Sequence, residues 1–275
     1  MHKIRRLDLN IAYACNLACK GCLSLSDFDR KGIMPFKDVV QSIDTWKDQI
    51  TPDVLTMFGG EPLLHPKLFD IIDHAKSVWP QVTIRLITNG YLLHRFDPNV
   101  WFDFSPFEIQ VSVHRLDHEN IITKNILSII KQKSDWSIVK TTDGSDGFHH
   151  MYEWQRPGMK IWKGKFGQFV IPYDQKDNKL VPFKSNPAKA HAICGNPNVP
   201  VMYKNKLYKC APIANLLDLP NTKGFEYTPT DIQGNIAKFV NAIGKPENIC
   251  SMCPESKTHS IDHYQKGEVH VKHLD

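Results

Sequence analysis

An α/β fold built on a parallel sheet is what this 275-residue sequence predicts. Two observations carry the prediction. Between residues 4 and 143, short apolar runs of strand length alternate with segments whose apolar residues recur every three or four positions. The residues with metal or ligand chemistry in that stretch fall where the apolar runs stop, the end of such a sheet at which ligands bind.

Residues 7–13 read as the first strand and lead into a cysteine-rich loop. Val39, Ile43, Trp46 and Ile50 form a helical stripe over residues 38–50. The apolar run 54–58 is a second, buried strand. Pro66 opens the next helix, and Leu68, Ile71, Ile72, Ala75 and Val78 mark its buried side. Residues 82–88 form a third strand, stopped by Asn89-Gly90, and residues 108–113 a fourth. A helix over 121–130, a fifth strand over 136–141 and a sixth over 166–171, ended by Pro172, complete the series. The stretch 143–165 breaks the pattern. Asp143-Gly144-Ser145-Asp146-Gly147 is turn-rich, and His149-His150 reads as a solvated loop rather than a metal site. Tyr152, Glu153, Arg156 and Lys160 fall on the expected ligand side, without a ranking among them.

Composition narrows the function class. The formal charge is +5, but the lysines are dispersed, which suits a solvated surface better than a nucleic-acid patch. No RNP, helix-turn-helix or zinc-finger signature is present. No segment approaches the ~20 apolar residues of a membrane span, and Met1-His2-Lys3-Ile4-Arg5-Arg6 leads into no signal-like apolar region, so a cytoplasmic location is expected. Seven cysteines in such a chain argue for metal or redox chemistry over structural disulfides.

Three of them, Cys15, Cys19 and Cys22, stand in a Cys-x3-Cys-x2-Cys run. Such a run can hold three irons of a [4Fe-4S] cube and leave the fourth open to a small molecule; zinc or a redox sensor is the alternative. Downstream, Gly59-Gly60-Glu61-Pro62 follows the second strand. Glycines at a strand end permit close approach to the backbone, and Glu61 offers acceptors for an ammonium group. The other four cysteines are Cys194, Cys210, Cys250 and Cys253. A hairpin predicted over 201–209 brings the first two together, a helix follows over 235–242, and a Cys-x2-Cys pair returns. Four thiolates can close either a zinc site or a fully ligated [4Fe-4S] cluster.

Together the cysteine run and the Gly-Gly-Glu-Pro segment resemble the radical S-adenosylmethionine (SAM) superfamily. That resemblance implies a partial (β/α)6 TIM-like barrel over residues 1–185. Residues 186–275 resemble a twitch module, the shortened SPASM domain, a small β-hairpin/helix unit with one auxiliary [4Fe-4S] cluster. The layout is similar to that of 2-deoxy-scyllo-inosamine dehydrogenases. It implies that Cys15, Cys19 and Cys22 hold the SAM-binding cluster and Cys194, Cys210, Cys250 and Cys253 the auxiliary one. Gly59, Gly60 and Glu61 would position the SAM amine, with Asn89 and Ser112 as further SAM contacts. The catalytic residues stay unassigned.

The implied chemistry is reductive cleavage of SAM to a 5′-deoxyadenosyl radical, which abstracts a substrate hydrogen atom. An auxiliary cluster with no vacant iron suits an electron acceptor, and hence a two-electron oxidation. The alternatives are a peptide-modifying maturase, forming thioethers or epimerising, and a non-catalytic Zn/Fe-S scaffold. The partners expected are a small-molecule or peptide substrate and an electron donor such as flavodoxin or ferredoxin. Gly21 precedes the third cysteine where many members carry an aromatic residue, so adenine contact falls to Tyr13 or Phe58. His114 and Arg115 stand where some relatives have an acid after the fourth strand.

Overall fold

The computed structural model describes residues 1–28, 30–141, 149–165, 168–257 and 260–262. In chain order the main elements are β1 (His2–Ala12), α1 (Phe36–Trp46), β2 (Ile50–Gly59), α2 (Leu68–Val78), β3 (Thr83–Thr88), β4 (Phe107–Val113) and α3 (Glu119–Ile130). They are followed by β5 (Ser137–Thr141), β6 (His149–Arg156), β7 (Met159–Lys165), β8 (Gln168–Val170), β9 (Asp174–Lys176) and β10 (Lys179–Val181). The C-terminal part holds α4 (Pro187–Ala192), β11 (Val201–Tyr203), β12 (Lys206–Tyr208), α5 (Ala211–Leu216), α6 (Ile236–Ala242) and β13 (Ser260–Asp262). Among the described residues no helix is long and apolar enough to cross a membrane.

One nine-stranded sheet organises the chain, in the order β12-β11-β1-β2-β3-β4-β7-β6-β5. Six neighbours from β11 to β7 run parallel, which is the α/β, partial (β/α)6 TIM-like barrel with a C-terminal hairpin. The path differs from the predicted one at both edges. The strand at 137–141 is not the fifth parallel strand: it lies at the far edge, antiparallel to β6. The fifth parallel position is taken by β7, and the sixth by β11, which pairs with β1. Of the strand predicted over 166–171, Gln168–Val170 is extended but pairs with β13, outside the main sheet, and residues 166 and 167 lie outside the described part. The misreading has a physical cause. Residues 149–165, expected to break the pattern with His149-His150 in a loop, instead form the antiparallel β6–β7 hairpin, and a period of two over 137–141 does not tell an antiparallel edge strand from a parallel one.

The register sorts side chains by face. Leu7, Leu55, Ile84, Phe107 and Met159 lie side by side across five strands, as do Leu9, Met57, Leu86, Ile109 and Ile161. All ten are core residues. Between these two apolar rows runs a polar one on the other face: Asp8, Thr56, Arg85, Glu108 and Lys160. The apolar face carries the hydrophobic stabilisation; the polar one is where the barrel interior can hold a ligand.

The predicted hairpin at 201–209 forms as β11 and β12. Lys204 and Asn205 turn it with φ of 49° and 63°, the doubly left-handed pair that a two-residue hairpin favours. Trp46 Nε1 donates to the Asn205 carbonyl at 3.1 Å, so α1 holds the turn against the barrel. Asn235 caps α6 by accepting from the Lys238 amide.

Candidate active site

The cysteine loop leaves β1 and is laid directly on the end of β2. The Gly60 amide donates to the Ala12 carbonyl (2.8 Å) and the Glu61 amide to the Ala14 carbonyl (2.9 Å). On the other side of the loop, Tyr13 and Ala14 donate to the Gly32 carbonyl. The Ser24 hydroxyl donates to the Gly59 carbonyl at 2.6 Å. The contact leaves no room for side chains. A Cβ at Gly59, where φ is +144°, would lie 2.3 Å from the Ala12 oxygen, and one at Gly60 2.2 Å from the Ala14 oxygen. The glycines therefore serve first to let the cysteine loop meet the strand end.

Glu61 is fully buried and faces inward. One oxygen accepts from the Leu63 amide (3.0 Å) and the Thr88 hydroxyl (2.8 Å), the other from the Asn89 amide (2.9 Å). Its carboxylate thus ties β2 to the end of β3. Burial pushes its pKa up to about 7, against the lowering effect of those donors. Asn89 reaches back to the cysteine loop: its Nδ2 donates to Asn16 Oδ1 at 2.7 Å and approaches Cys15 Sγ at 3.8 Å. The Leu17 amide also donates to Cys15 Sγ, at 3.4 Å. Such donors to ligand sulfurs are a lever on cluster potential.

A cavity of about 280 Å³ opens beside this loop, at the small end of ligand sites. Cys15, Cys19 and Cys22 line it, with Gly59, Gly60 and Asn89. Ser112 and His114, from the end of β4, form another wall. Phe58 also lines it, whereas Tyr13 packs edge-on against Tyr203 and carries the Arg30 guanidinium 5.2 Å from its ring. Of the two aromatic candidates, Phe58 is the one that faces the cavity.

All seven cysteines are free thiols. Burial first, then neighbouring Glu61 and Cys22, pushes the Cys15 thiol well above its ordinary value; burial and Cys22 raise Cys19 likewise. In the second set burial pushes Cys210 up to about 12, and Cys194 and Cys250 add to the rise; Cys253 is raised by burial and by the same three thiols. Three thiols near one another at one end and four at the other are donor sets that suit iron–sulfur ligation, because a metal offsets the mutual repulsion of thiolates. No group of three or more His, Cys, Asp or Glu among the described residues is drawn in as a bound ion would hold it. The fit rests on donor type and on convergence, since Cys194, Cys210 and Cys253 line the same cavity as the N-terminal triad.

Two side chains join the sets structurally. Asn215, fully buried on α5 just beyond Cys210, donates to the Leu23 carbonyl in the cysteine loop at 3.2 Å and accepts from Asn10 and Arg30. Lys209 is buried, donates to the Ala242 and Lys245 carbonyls and pairs with Glu247 at 3.0 Å, which ties the Cys210 strand to the segment before Cys250.

Several predicted residues lie elsewhere. Arg156 pairs with Asp135 and stacks on Phe102 and Trp136, and Tyr152 sits over Lys163. Neither faces the cavity, because β6 carries this stretch back along the sheet. Glu153 and Lys160 pair with each other at 3.4 Å, Lys160 in the polar row. The side chains of His149 and His150, and all of residues 142–148, lie outside the described residues. Among the cavity residues that escaped sequence reasoning are Arg6 and Asp8 on β1 and Gln110 on β4. Their signal was the polar phase of strands β1 and β4, hidden by the apolar phase that defined those strands.

Comparison with known proteins agrees with this geometry. The GTP 3′,8-cyclase of Shewanella denitrificans is 31% identical over 113 residues, 40% of this chain and 33% of the cyclase. Mycofactocin maturase MftC of Mycobacterium ulcerans is 31% identical over 94 residues, 34% of this chain and 24% of the maturase. The S-adenosylmethionine-dependent nucleotide dehydratase of Selenomonas ruminantium is 32% identical over 88 residues, 32% of this chain and 31% of the dehydratase. The chain therefore spans about a third or less of the length of these curated relatives. Among solved structures, BtrN in complex with AdoMet and 2-DOIA covers 96% of this chain and 98% of its own, with a TM-score of 0.51 at 14% identity, a likeness of fold. The Radical SAM superfamily, whose members use a [4Fe-4S] cluster and SAM, matches residues 9–142 of this chain, the span from β1 through the cysteine loop and Gly59-Gly60-Glu61 to β5.

Proposed function

We propose that the protein is a radical SAM oxidoreductase that removes two electrons from its substrate. The observation that carries the reading is the meeting of Cys15, Cys19 and Cys22 with Cys194, Cys210 and Cys253 on one cavity. When bound, the N-terminal cluster and SAM would supply radical chemistry that abstracts hydrogen atoms, and an auxiliary cluster would supply a one-electron acceptor.

The chain's own residues hold and orient. Cys15, Cys19 and Cys22 would hold the first cluster, and Cys194, Cys210, Cys250 and Cys253 the second. The Gly59-Gly60 backbone faces the SAM amine. Glu61 braces this backbone, its carboxylate accepting from Leu63, Thr88 and Asn89, and the acceptor site left on Oε2 is open to the SAM amine. Asn89 and Ser112 are the polar groups nearest SAM, and Phe58 offers a face to adenine. Two-electron oxidation of an alcohol would remove one hydrogen atom, one proton, released to solvent, and one electron. Reduction for the next turnover comes from a donor such as flavodoxin or ferredoxin.

Peptide modification is the second reading, favoured by the partial likeness to a maturase. Metal analysis beside SAM cleavage tests both against a scaffold. The anaerobically reconstituted protein is expected to hold about eight irons, with roughly half lost in a Cys15/Cys19/Cys22→Ala variant together with 5′-deoxyadenosine formation. About four irons and one zinc would remove the electron acceptor. A fully loaded protein that leaves SAM intact would refute the enzyme reading.

A further inference from the structure

The cavity does not end at the cysteine loop. It continues down the inner face of the sheet to Arg6 and Asp8 on β1 and Gln110 on β4. Arg6 Nε and Nη2 donate to the two oxygens of Asp8 at 2.8 and 3.0 Å. The remaining nitrogen, Nη1, and the Gln110 amide have no hydrogen-bond partner among the described residues. Ser112, two residues along β4 and more than nine-tenths buried, likewise has a hydroxyl with no protein partner among them. Polar side chains at this depth are ordinarily bonded, so a row left open toward a cavity marks a place where a ligand makes the bonds.

The charges around this floor cancel. Arg6 pairs with Asp8, Arg85 with Glu108 at 2.7 Å, and Lys160 with Glu153 at 3.4 Å, three cations against three anions. A phosphate entering here would find each cation already matched and would face the Asp8 and Glu108 carboxylates. A hydroxyl meets no such cost. It donates to a free lone pair of Asp8 and accepts from Arg6 Nη1 or the Gln110 amide, and neighbouring hydroxyls on one ring can do both.

We infer that Arg6, Asp8 and Gln110 form the substrate subsite and that it takes an uncharged, polyhydroxylated small molecule rather than a phosphorylated or nucleotide one. The inference deepens the oxidoreductase reading and rests on it for the word substrate.

The test is calorimetric titration of the anaerobically reconstituted, SAM-loaded protein with myo-inositol, glucose, glucose 6-phosphate and GTP. Asp8→Asn and Gln110→Leu are compared with the wild type. At least one neutral polyol is expected to bind more tightly than either phosphorylated probe. Each substitution should weaken that binding by about tenfold, the loss of one charge-assisted or buried hydrogen bond. Gln110→Leu removes no internal bond, so it keeps the test valid if Asp8→Asn fails to fold. Tighter binding of glucose 6-phosphate or GTP, no binding of either polyol at millimolar concentration, or polyol binding untouched by both variants would overturn the subsite. Formation of 5′-deoxyadenosine, followed in the same preparations, reports separately on the radical reading.

Discussion

Gly60→Ala adds a single methyl group, yet the structure predicts that it dislodges the cysteine loop. The new Cβ would stand 2.2 Å from the Ala14 oxygen, 2.6 Å from the Ala14 carbonyl carbon and 2.7 Å from the Tyr13 oxygen, all backbone atoms. Non-bonded atoms meet at about 3.5 Å, so the loop must retreat by roughly 1 Å. That retreat breaks or stretches the Gly60-to-Ala12 and Glu61-to-Ala14 hydrogen bonds. Two such bonds contribute about 2 kcal/mol, and overpacking adds about 1–3 kcal/mol. A loss of about 3–5 kcal/mol corresponds to a melting temperature lower by about 10 °C for a chain of this size. Gly195→Ala is the matched control, the same methyl beside Cys194 with nothing within 4 Å of it. Thermal unfolding and the iron content of reconstituted protein are the readouts. A Gly60→Ala protein that melts and loads iron like Gly195→Ala would refute the argument from close approach.

Three further outcomes are expected. Burial raises the Glu61 carboxyl from 4.5 to about 7, so the folded state binds the extra proton and the stability it gives below pH 4.5 is lost as pH rises toward 7. The change is on the order of 3 kcal/mol, and Glu61→Gln should flatten the fall in urea-unfolding free energy between pH 5 and 7; an unchanged slope counts against it. Asn215→Ala strips partners from Leu23, Asn10 and Arg30 and should cost about 2–3 kcal/mol by denaturant titration, with weaker iron loading at the N-terminal triad. Lys209→Met frees the segment before Cys250 and should lose about four of the irons while SAM cleavage persists; full retention of iron would show that the lysine holds nothing.

How much of this was legible beforehand depended on the range of the forces involved. The first four strands and their helices were readable because each is a local run whose apolar period declares its burial, as in Leu55 and Met57 or Ile71, Ile72 and Ala75. The cysteine sets were readable as spacing alone. Pairing between distant segments was not. Nothing near Val201 states that it will lie beside Asp8, and nothing near residue 137 states that its strand goes to the far edge. Glu61 is the instructive case: its place in the motif was plain, but its burial against Thr88 and Asn89, which makes it a brace between β2 and β3, was not. The polar row from Asp8 to Lys160 was likewise invisible until register aligned five strands.

The pairing of β11 with β1 bears on the order in which the protein is made. Strand β1 waits for a neighbour that is synthesised almost two hundred residues later, roughly 10–40 s at 5–20 residues per second. Until then its edge is an open template for wrong partners, and the cysteine loop it carries lacks the hold of Asn215 on Leu23. On the reading proposed above, metal delivery to Cys15, Cys19 and Cys22 would be a late event, timed by the arrival of residues 201–216. A chain cut before residue 201 would carry the three N-terminal cysteines but leave the β1 edge exposed, a product for the aggregate or the protease.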